Sequence, residues 1–326
     1  MLESIRQQFD EQTYQKALAL FDINSEKVNK LKAFESNVYA YSKAGEDYIL
    51  KITHTIRRSV AYILGELEYV NYLAQNGVRT SLAIPSVNGH LVETLPTSSG
   101  KGNWLIYAFE KAPGSRIQEV TADILYQLGK ETGKIHRLSR EYTPSQVAYK
   151  RQEWQDDSVW KFEGTIPPED QYIVGHAEKL IQKMCSIPRT TENYGLIHGD
   201  LHQGNFFWTG QDLWTFDFDD SEYHYFANDV AISLYYLVNN TKIRGEQSAS
   251  NFAAFYWTHY LKGYETEAHF KTEWFDYIDD LLHLRNILLY TVCIDAVGID
   301  KNTLDLFRSR LEALKNDQSY LAWLDA

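Results

Sequence analysis

The sequence predicts an α+β protein of two lobes, a small antiparallel-sheet lobe with one main helix and a larger, mostly helical lobe. Three observations predict it. The first 110 residues alternate short strand-like runs with a single long helical stripe. Beyond residue 111 the apolar period is mostly helical. Between those later helices lies one polar loop followed by two very short strand-like runs, at 196–219. The 326 residues suffice for two lobes, and a chain that is 44% hydrophobic and 14% aromatic can fill their cores.

Taken in order, residues 2–20 read as an N-terminal helical region. Runs 28–32, 37–42 and 48–53 read as strands, with Ala44-Gly45-Glu46-Asp47 turning between the last two. In the third strand Lys51 points opposite to Leu50, because side chains alternate with period two. From 57 to 75 the period changes: Val60, Ile63, Leu64, Leu67, Val70 and Leu73 form a helical stripe with Glu66 beside it, and Asn76-Gly77 stops it. Two further strands are expected at 90–95 and 104–109. Lys111-Ala-Pro-Gly114 has the composition of a connector, which sets the expected boundary between lobes 1–110 and 111–326.

Helices are then expected at 122–138, 170–181, 229–238, 248–264, 274–292 and 303–314, while 142–166 is aromatic and charged without a dominant period. A net charge of -12 argues against a general nucleic-acid binder. Two cysteines, Cys185 and Cys293, without ligand-like pairing argue against a disulfide framework or zinc-thiolate site. With no apolar leader and no run near 18 apolar residues, the expectation is a cytoplasmic protein without a membrane partner. The sequence leaves monomer or homodimer open.

The chemistry concentrates in Leu196-Ile-His-Gly-Asp-Leu-His-Gln-Gly-Asn205 and Asp217-Phe-Asp219. An Asp five residues before an Asn, in a loop, orients a hydroxyl nucleophile while the amide oxygen helps to hold Mg²⁺. A later Asp supplies a hard carboxylate oxygen to the same ion. Single Asp and Asn residues are common in turns, but their combination at this spacing is the pattern of phosphoryl transfer.

These segments resemble the aminoglycoside phosphotransferase/choline kinase superfamily, with its protein-kinase-like fold, over about residues 25–300. The resemblance implies ATP- and Mg²⁺-dependent phosphorylation of a hydroxyl on a small polar molecule of the amino alcohol, aminoglycoside, sugar or homoserine type. It implies Asp200 and Asn205 as catalytic residues, with Asn205, Asp217 and Asp219 at the metal. His198 would brace the loop, and His202 lies where the family varies. Lys51, paired with Glu66 rather than its competitor Glu68, would hold the ATP phosphates. No glycine-rich G-x-G-x-x-G loop is present, and Phe34, Glu35, Ser36 and Asn37 would cover the phosphates instead, Ser36 by its hydroxyl. His136 would be core, and Asp229 resembles a structural residue that ties the loop in place, although N-capping of the following helix explains it equally. Aromatic residues from Trp154 to Tyr277, among them His224, Tyr225, Tyr256, Tyr260 and Trp274, would divide between core and an aromatic, acidic acceptor pocket. Two other readings are a protein serine/threonine kinase of the same atypical family and a non-catalytic kinase-fold binding protein.

Overall fold

The computed structural model describes residues 8–33, 36–295, 301–316 and 318–325. They divide into two compact units, 1–113 with 142–151 and 114–141 with 152–326. The fold is the expected α+β, two-lobed, kinase-like one: a sheet unit with one principal helix and a larger, mostly helical unit.

In the first unit, helix α1 (Glu11–Leu20) starts at Asp10, whose carboxylate accepts from Thr13 N–H at 2.8 Å. Residues 1–7 of the expected N-terminal helix lie outside the described residues. Strands β1 (Val28–Leu31), β2 (Asn37–Lys43), β3 (Glu46–His54) and β6 (Asn103–Glu110) run in that spatial order, all antiparallel. Two short strands, β4 (Ala83–Ile84) and β5 (Glu93–Pro96), share the other edge of β6. The β2–β3 hairpin turns through Ala44 and Gly45, both at positive φ (54° and 92°), the geometry whose twist matches flanking strands.

Period-two alternation assigns the two sheet faces. Tyr39, Tyr41, Leu50, Ile52, Trp104, Ile106 and Ala108 pack with Ala17, Leu18 and Phe21 around α1. Leu105, Tyr107 and Phe109 pack instead against Ile63 and Leu67 of helix α2 (Val60–Gln75), which is N-capped by Ser59. Lys51 pairs with Tyr107 across the ladder and shares the α2 face. Residues 142–151 join this unit because Glu68 of α2 accepts hydrogen bonds from Tyr142 Oη and Ser145 N, both at 2.8 Å, and from Ser145 Oγ. Gly65 permits the approach, since a Cβ there would overlap the Tyr149 carbonyl.

The second unit packs helices α3 (Ala122–Ser139), α4 (Tyr172–Cys185), α5 (Phe226–Asn239), α6 (Ala249–Tyr264), α7 (Phe275–Asp295), α8 (Lys301–Lys315) and the short α9 (Tyr320–Leu324). Helices α3 and α6 touch backbone to backbone at Gly129 and Gly263, where a Cβ would overlap the carbonyl oxygens of Tyr260 and Tyr126. Helix α5 lies in the core, with Val230, Ala231, Leu234, Leu237 and Val238 buried. Two small antiparallel ladders complete the unit: β7 (Tyr194–Ile197) with β10 (Glu222–Tyr225), and β8 (Phe206–Trp208) with β9 (Leu213–Thr215). The β10 strand was not expected from the sequence, and α5 begins one turn before the expected 229.

Among the described residues no helix is long and apolar enough to cross a membrane.

Candidate active site

Strand β7 delivers the chain into the loop that carries His198, Asp200, His202 and Asn205. Gly199 there has φ +81°, and a Cβ would overlap the Asp220 carbonyl oxygen, so only glycine fits this close crossing. The Asp229 carboxylate clamps the loop from α5. It accepts from His198 N–H at 2.8 Å and Gly199 N–H at 2.9 Å, and His136 Nε2 lies 3.2 Å from it. Asp229 is therefore no N-cap: it sits inside the first turn of a helix capped at Tyr225 and spends its oxygens on the loop and His136. Burial pushes its carboxyl up, but the hydrogen bonds from His136 and from the His198 amide outweigh it and hold it below the ordinary carboxylate value. His136 is fully buried, bonded also to Tyr264 Oη at 2.9 Å, a core residue as expected.

His198 is equally buried. Its Nδ1 accepts from Asp200 N–H at 3.3 Å, which leaves Nε2–H to donate to the Phe216 carbonyl at 3.1 Å. Burial lowers its pKa, so it is a neutral brace between the loop and the segment entering Asp217.

The β8–β9 hairpin brings two more predicted residues to one end. Phe206 pairs with Thr215, and Phe216 N–H donates to the Asn205 carbonyl at 2.9 Å, so Asn205 and Asp217 emerge side by side in the chain path. The Asn205 amide nitrogen donates to Asp200 O at 2.9 Å and Asp200 Oδ2 at 3.1 Å. Its amide oxygen accepts no hydrogen bond from the described residues. Asp217 is exposed and held at φ +67°, a left-handed conformation uncommon outside glycine and typical of functional turns. Asp219 is buried within the turn closed by Ser221 N–H to Phe218 O at 2.9 Å. The donor set is all oxygen, a free amide carbonyl with carboxylates, which fits a hard divalent cation.

Asp200 is enclosed by partners on both oxygens. Oδ1 forms an ion pair with Arg285 of α7, and Oδ2 lies 3.3 Å from His202 Nε2. His202 Nδ1 accepts from Gly204 N–H at 2.8 Å, so Nε2 carries the proton that faces Asp200. Burial acts to raise the Asp200 pKa, but Arg285 and His202 hold it below the usual carboxylate value and keep it ionised. Glu222 lies opposite Ile197 on the strand beside this loop, and burial, with the negative charges of Asp157 and Asp220, pushes its carboxyl up to about 8. Nothing in the sequence marked Arg285, Asp157 or Glu222. Most of the aromatic residues considered for an acceptor pocket are core: Trp154, His224, Tyr225, Tyr256, Tyr260 and Trp274 are all buried.

In the first unit, Lys51 is buried on the α2 face, with Nζ 5.8 Å from the Tyr107 ring centroid and 5.9 Å from that of Phe109. Glu66 is fully buried on α2. Ser36 is half-buried just before β2. Phe34 and Glu35 lie outside the described residues.

The chain belongs to the phosphotransferase enzyme family, whose family profile matches residues 28–270. It is an ATP-dependent phosphotransferase that acts on a small-molecule hydroxyl. It is 37% identical to amicoumacin kinase of Bacillus subtilis (strain 168) over 283 residues, covering 86% of this chain and 84% of that protein. It superposes on the amicoumacin kinase hAmiN, solved in complex with AMP-PNP, Ca²⁺ and Ami, with a TM-score of 0.92 and 34% identity, covering 98% of this chain and 97% of that one. A hydroxylysine kinase of Danio rerio is 24% identical over 246 residues, 67% of each chain.

Proposed function

We propose that the acceptor is an alcohol that also carries an amine, with amicoumacin the first compound to test. The observation that carries this reading is the Glu222 carboxyl on the strand beside the Asp200 loop, which burial, with the negative charges of Asp157 and Asp220, raises to about 8. An ammonium placed there favours the ionised form of Glu222. The similarity to the amicoumacin kinases along nearly the whole chain supports the same reading.

In this mechanism Asp200 orients the acceptor hydroxyl and takes its proton as the new oxygen–phosphorus bond forms and the β–γ bridging bond of ATP breaks. Asn205, through its free amide oxygen, and Asp217 hold Mg²⁺, with Asp219 as a further ligand. The ion, when bound, neutralises charge on the phosphates. Lys51, paired with Glu66, and the Ser36 hydroxyl bind the nucleotide phosphates. Commitment of Glu68 to Tyr142 and Ser145 favours Glu66 as the partner of Lys51. The cytoplasm, where ATP is available, is the proposed location.

The test is turnover with Mg²⁺ and ATP on amicoumacin, on a panel of amino alcohols and on the same alcohols with the amine acylated. Mass gain of one phosphate on the amine-bearing compounds, lost in Asp200→Asn, is expected. Equal kcat/KM for amine and acylated forms overturns the amine reading.

A further inference from the structure

Asp200 meets three side-chain donors, and they are divided unequally between its oxygens. Oδ2 faces two, Asn205 Nδ2 at 3.1 Å and His202 Nε2 at 3.3 Å. Oδ1 faces one, Nη2 of Arg285 on α7. A carboxylate oxygen offers two acceptor positions, so among the described residues Oδ2 is filled and Oδ1 keeps one open. The Asp200 side chain is 19% exposed and that of Arg285 only 10%, so the carboxylate is the more accessible of the pair. Arg285 is itself held. Nη2 also donates to Tyr236 Oη at 2.8 Å, the guanidinium centre is 5.1 Å from the Tyr236 ring centroid, and Nη1 lies 3.5 Å from the Gly199 carbonyl. The Tyr236 ring packs on His202 with centroids 4.6 Å apart, which closes a circuit around the carboxylate. One residue earlier on α5 and one later on α7, Tyr235 Oη donates to Asn286 Oδ1 at 2.7 Å, and both residues are buried. That bond pins the two helices at the level from which they deliver Tyr236 and Arg285.

We infer that Arg285 is a positioning residue that selects the reacting oxygen of Asp200: it fixes the carboxylate plane so that Oδ1 meets the acceptor hydroxyl while Oδ2 stays on Asn205 and His202. The inference rests on the reading of Asp200 as the base. The terminal torsion of an aspartate is broad, so an unheld carboxylate turns and presents either oxygen in several directions. A guanidinium gives its hydrogen bonds fixed directions, which an ammonium does not. Here one nitrogen of that group spans Asp200 and Tyr236, so the plane of the carboxylate follows from the position of α5. Orientation matters more than basicity in this reaction, because catalysis of phosphoryl transfer is almost entirely positioning and charge stabilisation. A cation on the base is therefore compatible with turnover.

The experiment is a double-mutant cycle between Arg285→Gln and Asp200→Asn. It is read by single-turnover phosphorylation with enzyme in excess, which measures slow variants. The acceptor is amicoumacin or, where that is not turned over, the amino alcohol of the panel above with the highest kcat/KM. Asp200→Asn alone tests the base, and a rate within about threefold of native overturns that reading whatever Arg285 does. Given the loss in Asp200→Asn, Arg285→Gln in the native background is expected to lower the rate about 100-fold, with the KM of ATP and of acceptor changed by less than about threefold. In the Asp200→Asn background it should change the rate by less than about threefold, because a residue that acts through another has nothing left to position. Arg285→Lys keeps the charge without the fork and should recover only part of the native rate. Equal losses in the two backgrounds, no loss in the native one, a loss confined to KM, or full recovery in Arg285→Lys each overturn the inference. Should Arg285→Gln fail to fold, Tyr236→Phe removes the hydroxyl that holds Nη2 and keeps the ring. It should lower the native rate about tenfold and leave the Asp200→Asn rate unchanged, and equal losses in both overturn the inference in the same way.

Discussion

Asp229 Oδ1 accepts the backbone N–H of Gly199 at 2.9 Å, joining two residues 30 positions apart. Its second oxygen takes the neighbouring His198 N–H and His136. One buried carboxylate thus holds the peptides that precede Asp200. In Asp229→Asn one oxygen becomes an amide group that faces a backbone donor. The expected result is a loss of about 3 kcal/mol in stability and about 100-fold in kcat, measured by urea unfolding and steady-state turnover.

The contact of α3 with α6 depends on having no side chain at Gly129 and Gly263. Gly263→Ala is expected to destabilise by about 1–3 kcal/mol as the helices are forced apart. Gly175, exposed in α4 with nothing within 4 Å of a new Cβ, is the opposite case. Gly175→Ala should stabilise by about 0.5–1 kcal/mol through helix propensity. Thermal unfolding of the two variants should move in opposite directions.

Glu222 has its folded-state pKa raised from 4.5 to about 8. Between those values the folded chain binds more protons than the unfolded one, so this group makes stability fall as pH rises through the window. Glu222→Gln removes the effect. Relative to the native chain it should gain little at pH 4 and on the order of 1–3 kcal/mol by pH 8. Denaturation curves across pH 4–9 check this, and a difference that does not grow with pH contradicts the assigned cause.

Glu66 and Glu68 are two residues apart on α2, yet they meet different surroundings. Glu68 serves the 142–151 segment, whereas Glu66 is fully buried on the helix that packs on the Lys51 face. Glu66→Gln should raise the KM for ATP by about tenfold or more, and Glu68→Gln should leave it nearly unchanged while lowering the melting temperature. Equal effects on the nucleotide KM contradict the pairing of Glu66 with Lys51.

Much of the molecule is legible in its sequence. The period-two run at 48–53 placed Lys51 opposite Leu50, and the sheet faces follow that alternation. The 3.6-residue stripe at 57–75 became α2, shortened because Ser59 supplies its N-cap. Shorter pieces were harder. Two-residue β4 gains its existence from pairing with β6, and β10 from pairing with β7, not from local propensity. For Asp229 the family resemblance points to a residue that ties the loop in place, as it does, while its position near a helix start suggests an N-cap, which its donors in a distant loop rule out.

By itself the sequence determined the two-lobed α+β class and the chemical character of the Asp200, Asn205 and Asp217 stretch. Those residues lie close along one chain, where backbone geometry limits how far a loop and a three-residue hairpin can separate them. The tertiary structure alone decided that Arg285, 85 residues from Asp200, closes on its carboxylate, and that Glu222 feels the charge of the distant Asp157. It also sent most of the aromatic residues into the core. The physical reason is that contacts between distant segments arise from how helix faces and strand edges pack together, and no local period or spacing carries that information.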